Sequence, residues 1–517
     1  MRVAIGGRRL ALVTAVAAVG AAGLLWLGVG VGAGAGVGVG RPEAKAPRGA
    51  AARATIAVDP AAPGRLVPAG FLGLSLEYWA SEAYAGTDPQ AINPVLVALV
   101  RNLVPGGSPV LRIGGVTTDK AWWPVAGMTR PPGVSISIDR RWLAVTRALA
   151  QLLGARLILG VNLEADSTKL AAAEARALLA GVGRARVEAL ELGNEPELYS
   201  TFTWYTSGGR RVTGRPRDYG FDAFTRDFAQ IAGALPPAPV AGPASGAWTW
   251  FSRVGGMIAA VPRLGMVTVH RYPLQACYLT PQAPMYPTVG RLLSLTASRT
   301  EADSVIPALR VAHADHIPLR IDEMNTISCG SAPGISDTFA MALWALDALF
   351  ADVEAGVDGV NIHTYPGATY QLFTFTHERS SWQAFVEPEY YGLLMFVQAA
   401  PRGSRLLEVT GANGAIRAWA TRAPDGRIRV VLINDGTVRP QVVAVRVGRN
   451  AHGAATLERL EAPGVWATRG VTLAGQSFGP QTRTGLLAGA SREPAVSPVA
   501  GTYLVRLPAA SAAMLTL

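Results

Sequence analysis

From Phe71 to about Pro401 short apolar runs alternate with longer segments in which apolar residues recur three and four apart, the rhythm of parallel strands joined by crossover helices. Eight runs read as strands: FLGLSLEY from Phe71, VLRIGG from Val110, RLILGVNL from Arg156, VEALELGNE from Val187, PVAGPAS from Pro239, MVTVHRY from Met266, LRIDEMN from Leu319 and GVNIHTY from Gly359. Between them Arg141 to Leu153, Leu170 to Leu179, Asp222 to Ile231 and Thr338 to Glu354 read as helices with an apolar stripe. Eight such units predict an α/β fold, a (β/α)8 TIM barrel. In that architecture chemistry sits at the carboxyl ends of the strands, so the polar residues there are the candidates and the apolar strand starts are core.

Beyond Pro401 the helical period disappears. AIRAWATRA, RIRVVLIND, PQVVAVRVG, ATLERLE and TYLVRLP follow one another between turn signals such as Asn413-Gly414 and Asp425-Gly426, which predicts an all-β sandwich over 402–517. The catalytic barrel then occupies 54–401. The early segment TIAVDP, from Thr55, is a candidate to pair into the sandwich and clamp the two domains together.

Residues 1–53 form a separate region. Three Arg fall within the first nine residues, and no charged residue appears from Leu10 to Gly40. An apolar stretch of about 20 residues suffices to span a bilayer, so this tract fits a retained single membrane anchor as well as a cleaved signal peptide; Arg8-Arg9 reads as an ordinary basic leader rather than a twin-arginine signal. Either way the rest of the chain is expected to be secreted or held on the outer face of the cytoplasmic membrane. The Ala, Arg and Pro of 41–53 read as a linker.

This leader also changes the meaning of the charge. The 517 residues carry 47 Lys and Arg against 36 Asp and Glu, a net +11, but Arg2, Arg8, Arg9, Arg41, Lys45, Arg48 and Arg53, offset by Glu43, supply +6 of it. The remaining +5 is spread thinly, with no cluster of cations among stacking aromatics, so nucleic acid is excluded as a partner.

Two acidic residues close predicted strands: Glu195 in LELGNEPELY, ending strand four, and Glu323 in LRIDEMNTISCG, ending strand seven. Strands four and seven lie across the mouth of an eight-stranded barrel. That placement suits glycoside cleavage with retention, where one carboxyl protonates the leaving oxygen and another, about 5 to 5.5 Å away, attacks the anomeric carbon. A lone Glu in a loop would more simply be a surface or ion-paired residue; a Gly-Asn-Glu-Pro ending one strand and a Glu ending another argue for chemistry.

The Asn-Glu pair after strand four with a Glu after strand seven resembles clan A of the retaining glycoside hydrolases. LELGNEPELY, DEMNTISCGSAPGISDTFAMALWALDALF from Asp322 and VLRIGGVTTDKAWW from Val110 narrow the resemblance to glycoside hydrolase family 79, the β-glucuronidase and heparanase group, over roughly residues 55–517. The resemblance implies a hydrolase acting at β-linked glucuronic acid, with a carbohydrate substrate and neither metal nor organic cofactor. It implies Glu195 as acid/base and Glu323 as nucleophile. Arg112 matches the clan's arginine beside the nucleophile, with an ordinary ion pair to Asp119 as the competing reading, and Asn194 matches the residue that binds the sugar 2-hydroxyl. Tyr272 matches a tyrosine that hydrogen-bonds the nucleophile. His270 shares its barrel face by two-residue alternation and is expected to support the site. Glu77 on strand one is a candidate for sugar hydroxyls or else a buried structural acid. For the uronate carboxylate the resemblance implies the backbone amides of Cys329 and Gly330 and the hydroxyl of Tyr370. Ser328 departs from the pattern, since some relatives carry a tyrosine there.

Cys277 and Cys329, the only cysteines, fall in the loops after strands six and seven, which a barrel makes neighbours; in an exported chain they are expected to form a disulfide, with two buried thiols as the alternative. His270, His313, His316 and His363 form no zinc spacing. Two rival functions remain: a β-glucosidase or β-xylosidase of the same clan, and a cell-surface carbohydrate-binding protein without catalysis.

Overall fold

The computed structural model describes residues 54–277, 280–378, 381–448 and 453–517. The amino-terminal apolar tract lies outside the described residues. Among the described residues no helix is long and apolar enough to cross a membrane.

The chain enters through strand β1 (Ala54–Leu66) and then builds eight strands: β2 (Leu72–Glu77), β3 (Val110–Gly114), β4 (Arg156–Val161), β5 (Val187–Leu192), β6 (Val240–Ser245), β7 (Leu264–Arg271), β8 (Leu319–Met324) and β9 (Gly359–His363). β2 to β9 pair in parallel, each with the next, and β9 closes on β2, so the eight-stranded barrel expected from the sequence is present. Local chemistry sets the crossover helices. Asn93 caps Pro94–Leu103 by accepting from the Val95 and Leu96 amides, and Asp139 opens Arg140–Leu153, which Gly154 ends in the left-handed conformation. The helix Phe339–Ala355 is apolar nearly all round because it is covered on every side. Its Phe350 ring stacks on Trp419 of the C-terminal domain at 5.5 Å, and its Phe339 and Ala340 amides donate to the Ala467 and Val465 carbonyls.

The C-terminal domain is one continuous ten-stranded sheet rather than two separately bonded sheets. It runs from Thr472–Leu473 through Ala455–Glu461, Ser511–Thr516, Ile428–Asn434, Ile416–Arg422, Arg405–Thr410, β1 and Gln441–Val447 to Tyr503–Leu507, and the tenth strand, Ala495–Val496, pairs with Ala455–Glu461 beside this path. Residues of both wings, among them Ile56, Leu432, Val445, Leu457, Val505 and Leu515, share one core, so the sheet folds over itself as a sandwich would. β1 lies inside this sheet, antiparallel to Arg405–Thr410 and parallel to Gln441–Val447. The domain that begins the described chain is therefore the one that ends it, with the barrel inserted between.

Candidate active site

The site grows from one buried cation. Arg112 sits in the middle of β3, fully buried and aimed into the barrel. A guanidinium so placed must be paired, and its Nε lies 2.7 Å from Glu191 and 3.3 Å from Asp322 while Nη1 lies 2.6 Å from Glu323. Nη2 donates to Asn194 Oδ1 at 2.8 Å, and Nη1 also reaches Ser75 at 3.2 Å. Burial alone would lower the pKa of Arg112; Glu191, Asp322 and Glu323 reverse that and raise it. The alternative partner Asp119 is not part of this set. It accepts instead from the amides of Leu163, Glu164 and Asn194 and from the Tyr199 hydroxyl, and so orders the loop that carries Glu195.

Adjacent strand residues ordinarily face opposite sides, yet Asp322 and Glu323 both approach Arg112. The register of β8 slips against both neighbours at this point, between Ile321 and Met324 towards β9 and at His270 on β7. Such a slip turns an extra side chain inward.

Glu195 leaves β5 through Gly193 and itself has φ 48°, a left-handed turn that its amide, donating to the Ala244 carbonyl at 2.8 Å, holds in place. One carboxylate oxygen of Glu195 and one of Glu323 lie within 4.8 Å of each other. His270 stands between them, with Nδ1 3.2 Å from Glu195 and 4.0 Å from Glu323. Tyr272 donates to Glu323 Oε1 at 2.9 Å, from just beyond the end of β7.

The two carboxylates have different surroundings. Burial would raise the Glu323 pKa, but His363, His270, Arg112 and the Tyr272 hydrogen bond outweigh it and hold the carboxyl well below the usual range. Glu195 keeps a quarter of its side chain open to the cleft, 26% against 9% for Glu323. His270 is pushed up: burial opposes its charge, but Glu323, Asp322 and Glu195 favour it. Glu191 is raised to about 8 by burial first, against the pull of Arg112, which lowers it, with Asp322 adding to the rise. The donor atoms of Glu195, His270 and Glu323 are close enough to hold an ion, but Tyr272 and Arg112 already engage the two Glu323 oxygens.

These residues open into a cleft of about 1140 Å³ at the carboxyl ends of the strands. Glu77 closes one side. Its carboxylate accepts from the Val116 and Thr117 amides at 3.2 and 2.9 Å and lies 3.6 Å from His363 Nε2. Gly115, φ 66°, allows this approach, because a Cβ there would fall 2.3 Å from Glu77 Oε1. Cys329, Gly330 and Tyr370 line the same cleft, and the Tyr370 ring lies 6.2 Å from Tyr272 and 6.0 Å from Tyr365. Cys277 and Cys329 are joined as a disulfide, so free thiols are absent among the described residues.

Glu191, Asp322, His363, Ser75 and Glu197 belong to the site and were not singled out from the sequence. Glu191 could have been: it is a carboxylate at a core position of an apolar strand, which cannot go unpaired. Glu197, half-buried two residues after Glu195, accepts from the Gly246 amide at 2.6 Å and is raised to about 7 by burial and by Glu195. The remaining contacts required the three-dimensional register.

Residues 418–514 match the Glycosyl hydrolase family 79 C-terminal beta domain. Among solved structures the chain resembles a 4-O-α-L-rhamnosyl-β-D-glucuronidase from Fusarium oxysporum 12S at 18% identity, covering 90% of this chain and 100% of that one with a TM-score of 0.65. It also resembles the GH51 arabinofuranosidase of Xanthomonas axonopodis pv. citri (17% identity, 90% and 100% covered, TM-score 0.62) and an α-L-arabinofuranosidase from Thermotoga maritima (15%, 90% and 99%, 0.62). At these identities the likeness is one of fold. No curated protein matches the chain in sequence.

Proposed function

Because its C-terminal domain is that of glycosyl hydrolase family 79 and its barrel has the clan A fold, we propose that this chain is a retaining β-glycosidase acting on β-linked glucuronic acid. The observation that carries the reading is the approach of Glu195 and Glu323 to within 4.8 Å, with Arg112 paired to Glu323 and not to Glu195. Retention requires about 5 to 5.5 Å between the carboxyl groups, whereas inversion requires about 6.5 to 9.5 Å to admit water.

In the first step the ionised Glu323 attacks the anomeric carbon while Glu195 gives its proton to the glycosidic oxygen. The aglycone leaves as an alcohol and the sugar remains as an ester on Glu323. In the second step Glu195 takes a proton from water, whose oxygen attacks the same carbon; the ester bond breaks and Glu323 is restored as a carboxylate. Arg112 and Tyr272 keep Glu323 ionised and aimed, and Asn194, fixed by Arg112, is placed for the 2-hydroxyl. His270 bridges the pair as a positioning group. The amides of Cys329 and Gly330, with Tyr370, supply neutral donors for the uronate carboxylate. The Cys277–Cys329 disulfide supports an oxidising, exported location, with residues 1–53 as signal or anchor.

The test is a panel of aryl β-glycosides with the anomer of the first product followed by NMR. Glucuronide preference with β-product first is expected. Preference for glucoside or xyloside would keep the mechanism and overturn the sugar; α-product first would overturn retention; and no hydrolysis of any member would favour a binding protein.

A further inference from the structure

Resting on that reading, we propose that Trp248 is the stacking platform of the leaving-group subsite and that this subsite selects aglycones presenting a flat, uncharged, apolar face, an aromatic ring or the CH face of a neutral pyranose, over anionic chains.

The direction of the cleft follows from the chemistry. The acid must reach the oxygen between sugar and aglycone, so the aglycone lies on the Glu195 side. Next to Glu195 stands the loop after β6: a Cβ on Gly246 would lie 3.7 Å from Glu195 Oε1 and 3.5 Å from Glu197 Oε1. Two residues on, Trp248 lines the cleft and is 72% exposed, a large apolar surface left in water. It is firmly presented nonetheless. It opens the short helix Trp248–Phe251, whose Trp250 packs 5.1 Å from Phe224 and 5.2 Å from Phe221, and whose Phe251 is fully buried. Residues two apart on a helix face nearly opposite ways, so anchoring Trp250 inward holds the Trp248 indole outward.

Charge on this wall favours the same class of ligand. Beyond Trp248 the cleft is lined by Arg271, Glu301 and Asp303. Arg271 has Nε 3.3 Å from Glu301 Oε1, and Lys120, which also lines the cleft, donates its Nζ to the Trp204 carbonyl. A sulfated or uronate-rich aglycone would meet the exposed Asp303 and two cations already engaged, Arg271 against the buried Glu301 and Lys120 against the Trp204 carbonyl, whereas a neutral ring meets an indole face and polar neighbours such as Thr249 and Ser252.

The test compares wild type, Trp248→Ala and Trp248→Phe on glucuronides that differ only in aglycone: methyl, 4-nitrophenyl, neutral galactosyl, and galactosyl 6-sulfate. The Ala variant is expected to raise KM about two- to tenfold for the aryl and galactosyl substrates, the size of one aromatic contact, with a much smaller change for methyl and with Phe restoring most of the loss. The sulfated substrate is expected to show a kcat/KM at least about tenfold below its neutral twin. A response confined to aryl or to galactosyl identifies which source the platform serves. Equal losses across all aglycones, no rescue by Phe, or equal use of the sulfated substrate would overturn the proposal. If only glucosides are cleaved, the sugar assignment fails and the same aglycone series on glucosides decides Trp248. If nothing is cleaved, the function proposed above fails, and binding of phenyl 1-thio-β-glucuronide decides Trp248: weaker binding by Trp248→Ala upholds the platform, and unchanged binding removes it.

Discussion

One oxygen of Glu195 and one of Glu323 lie within 4.8 Å of each other, although the two residues end strands on different sides of the barrel. The consequences of that approach, and of the charges that flank it, can each be measured.

Glu195→Ala should slow hydrolysis according to leaving group. Aryl glycosides with good leaving groups need little protonation, so glycosylation should be nearly spared, whereas poor leaving groups should lose about 10² to 10⁴ in rate. Azide should restore turnover and yield a β-glycosyl azide. A uniform loss without rescue would remove Glu195 from the acid role.

Glu323 should carry the covalent sugar. Incubation with 2-deoxy-2-fluoro-β-glucuronyl fluoride should add one sugar mass to the peptide containing Glu323, and Glu323→Ala should still bind substrate without turning it over. Labelling of another carboxylate would reassign the nucleophile.

Arg112→Met should be severely destabilising. It leaves Glu191, Asp322 and Glu323 buried around an uncharged side chain, a loss of about 3 to 5 kcal/mol by analogy with other broken buried pairs. Denaturant unfolding gives the stability. In the folded fraction the acid limb of kcat/KM should move to higher pH, because one of the charges that depress the Glu323 pKa is gone. An unmoved acid limb would show that Arg112 does not set the ionisation of Glu323.

Glu389 offers a pH test away from the chemistry. Its carboxyl is raised from 4.5 to about 8, by burial, against the Asn325 hydrogen bond. The folded state therefore keeps a proton that the unfolded state has lost, and stability falls as pH rises from about 4.5 to about 8. Glu389→Gln, which cannot ionise, should flatten that decline in Tm while matching the wild type near pH 4.5. Parallel curves for the two proteins would mean that Glu389 ionises normally.

Reducing the Cys277–Cys329 disulfide frees two loops on the Glu323 side of the cleft. Tm should fall, with typical losses of about 2 to 4 kcal/mol for such a link, and KM for an aryl glucuronide should rise more than kcat falls, since Cys329 and Gly330 are proposed to hold the carboxylate. Equal KM before and after reduction would argue that these amides do not touch the sugar.

Much of this was legible in the residues themselves. The short apolar runs of the strands, such as VLRIGG, and the three-and-four spacing of the helices reflect only how much of each element is buried, and so mark strands and helices without knowledge of their partners. Barrel geometry then places strand ends at one mouth, which is why Glu195, Glu323, Tyr272 and the two cysteines could be brought together from the chain alone. The helix Phe339–Ala355 shows the limit: its sequence is apolar on every face, and only the contact with Trp419 shows what covers it.

Tertiary structure alone decided the inner charges. That Arg112 takes both Asp322 and Glu323, neighbours in sequence, goes with a register slip in β8, which has no periodic signature, and its pairing with Glu191 while Asp119 serves the Glu195 loop is decided by which strands the closed barrel brings together. Likewise β1 joins the C-terminal sheet through hydrogen bonds to residues some 350 and 390 positions away. Hydrophobic pattern is a local property of the chain, whereas the pairing of buried charges and of strand edges is settled only when distant segments compete for the same partner.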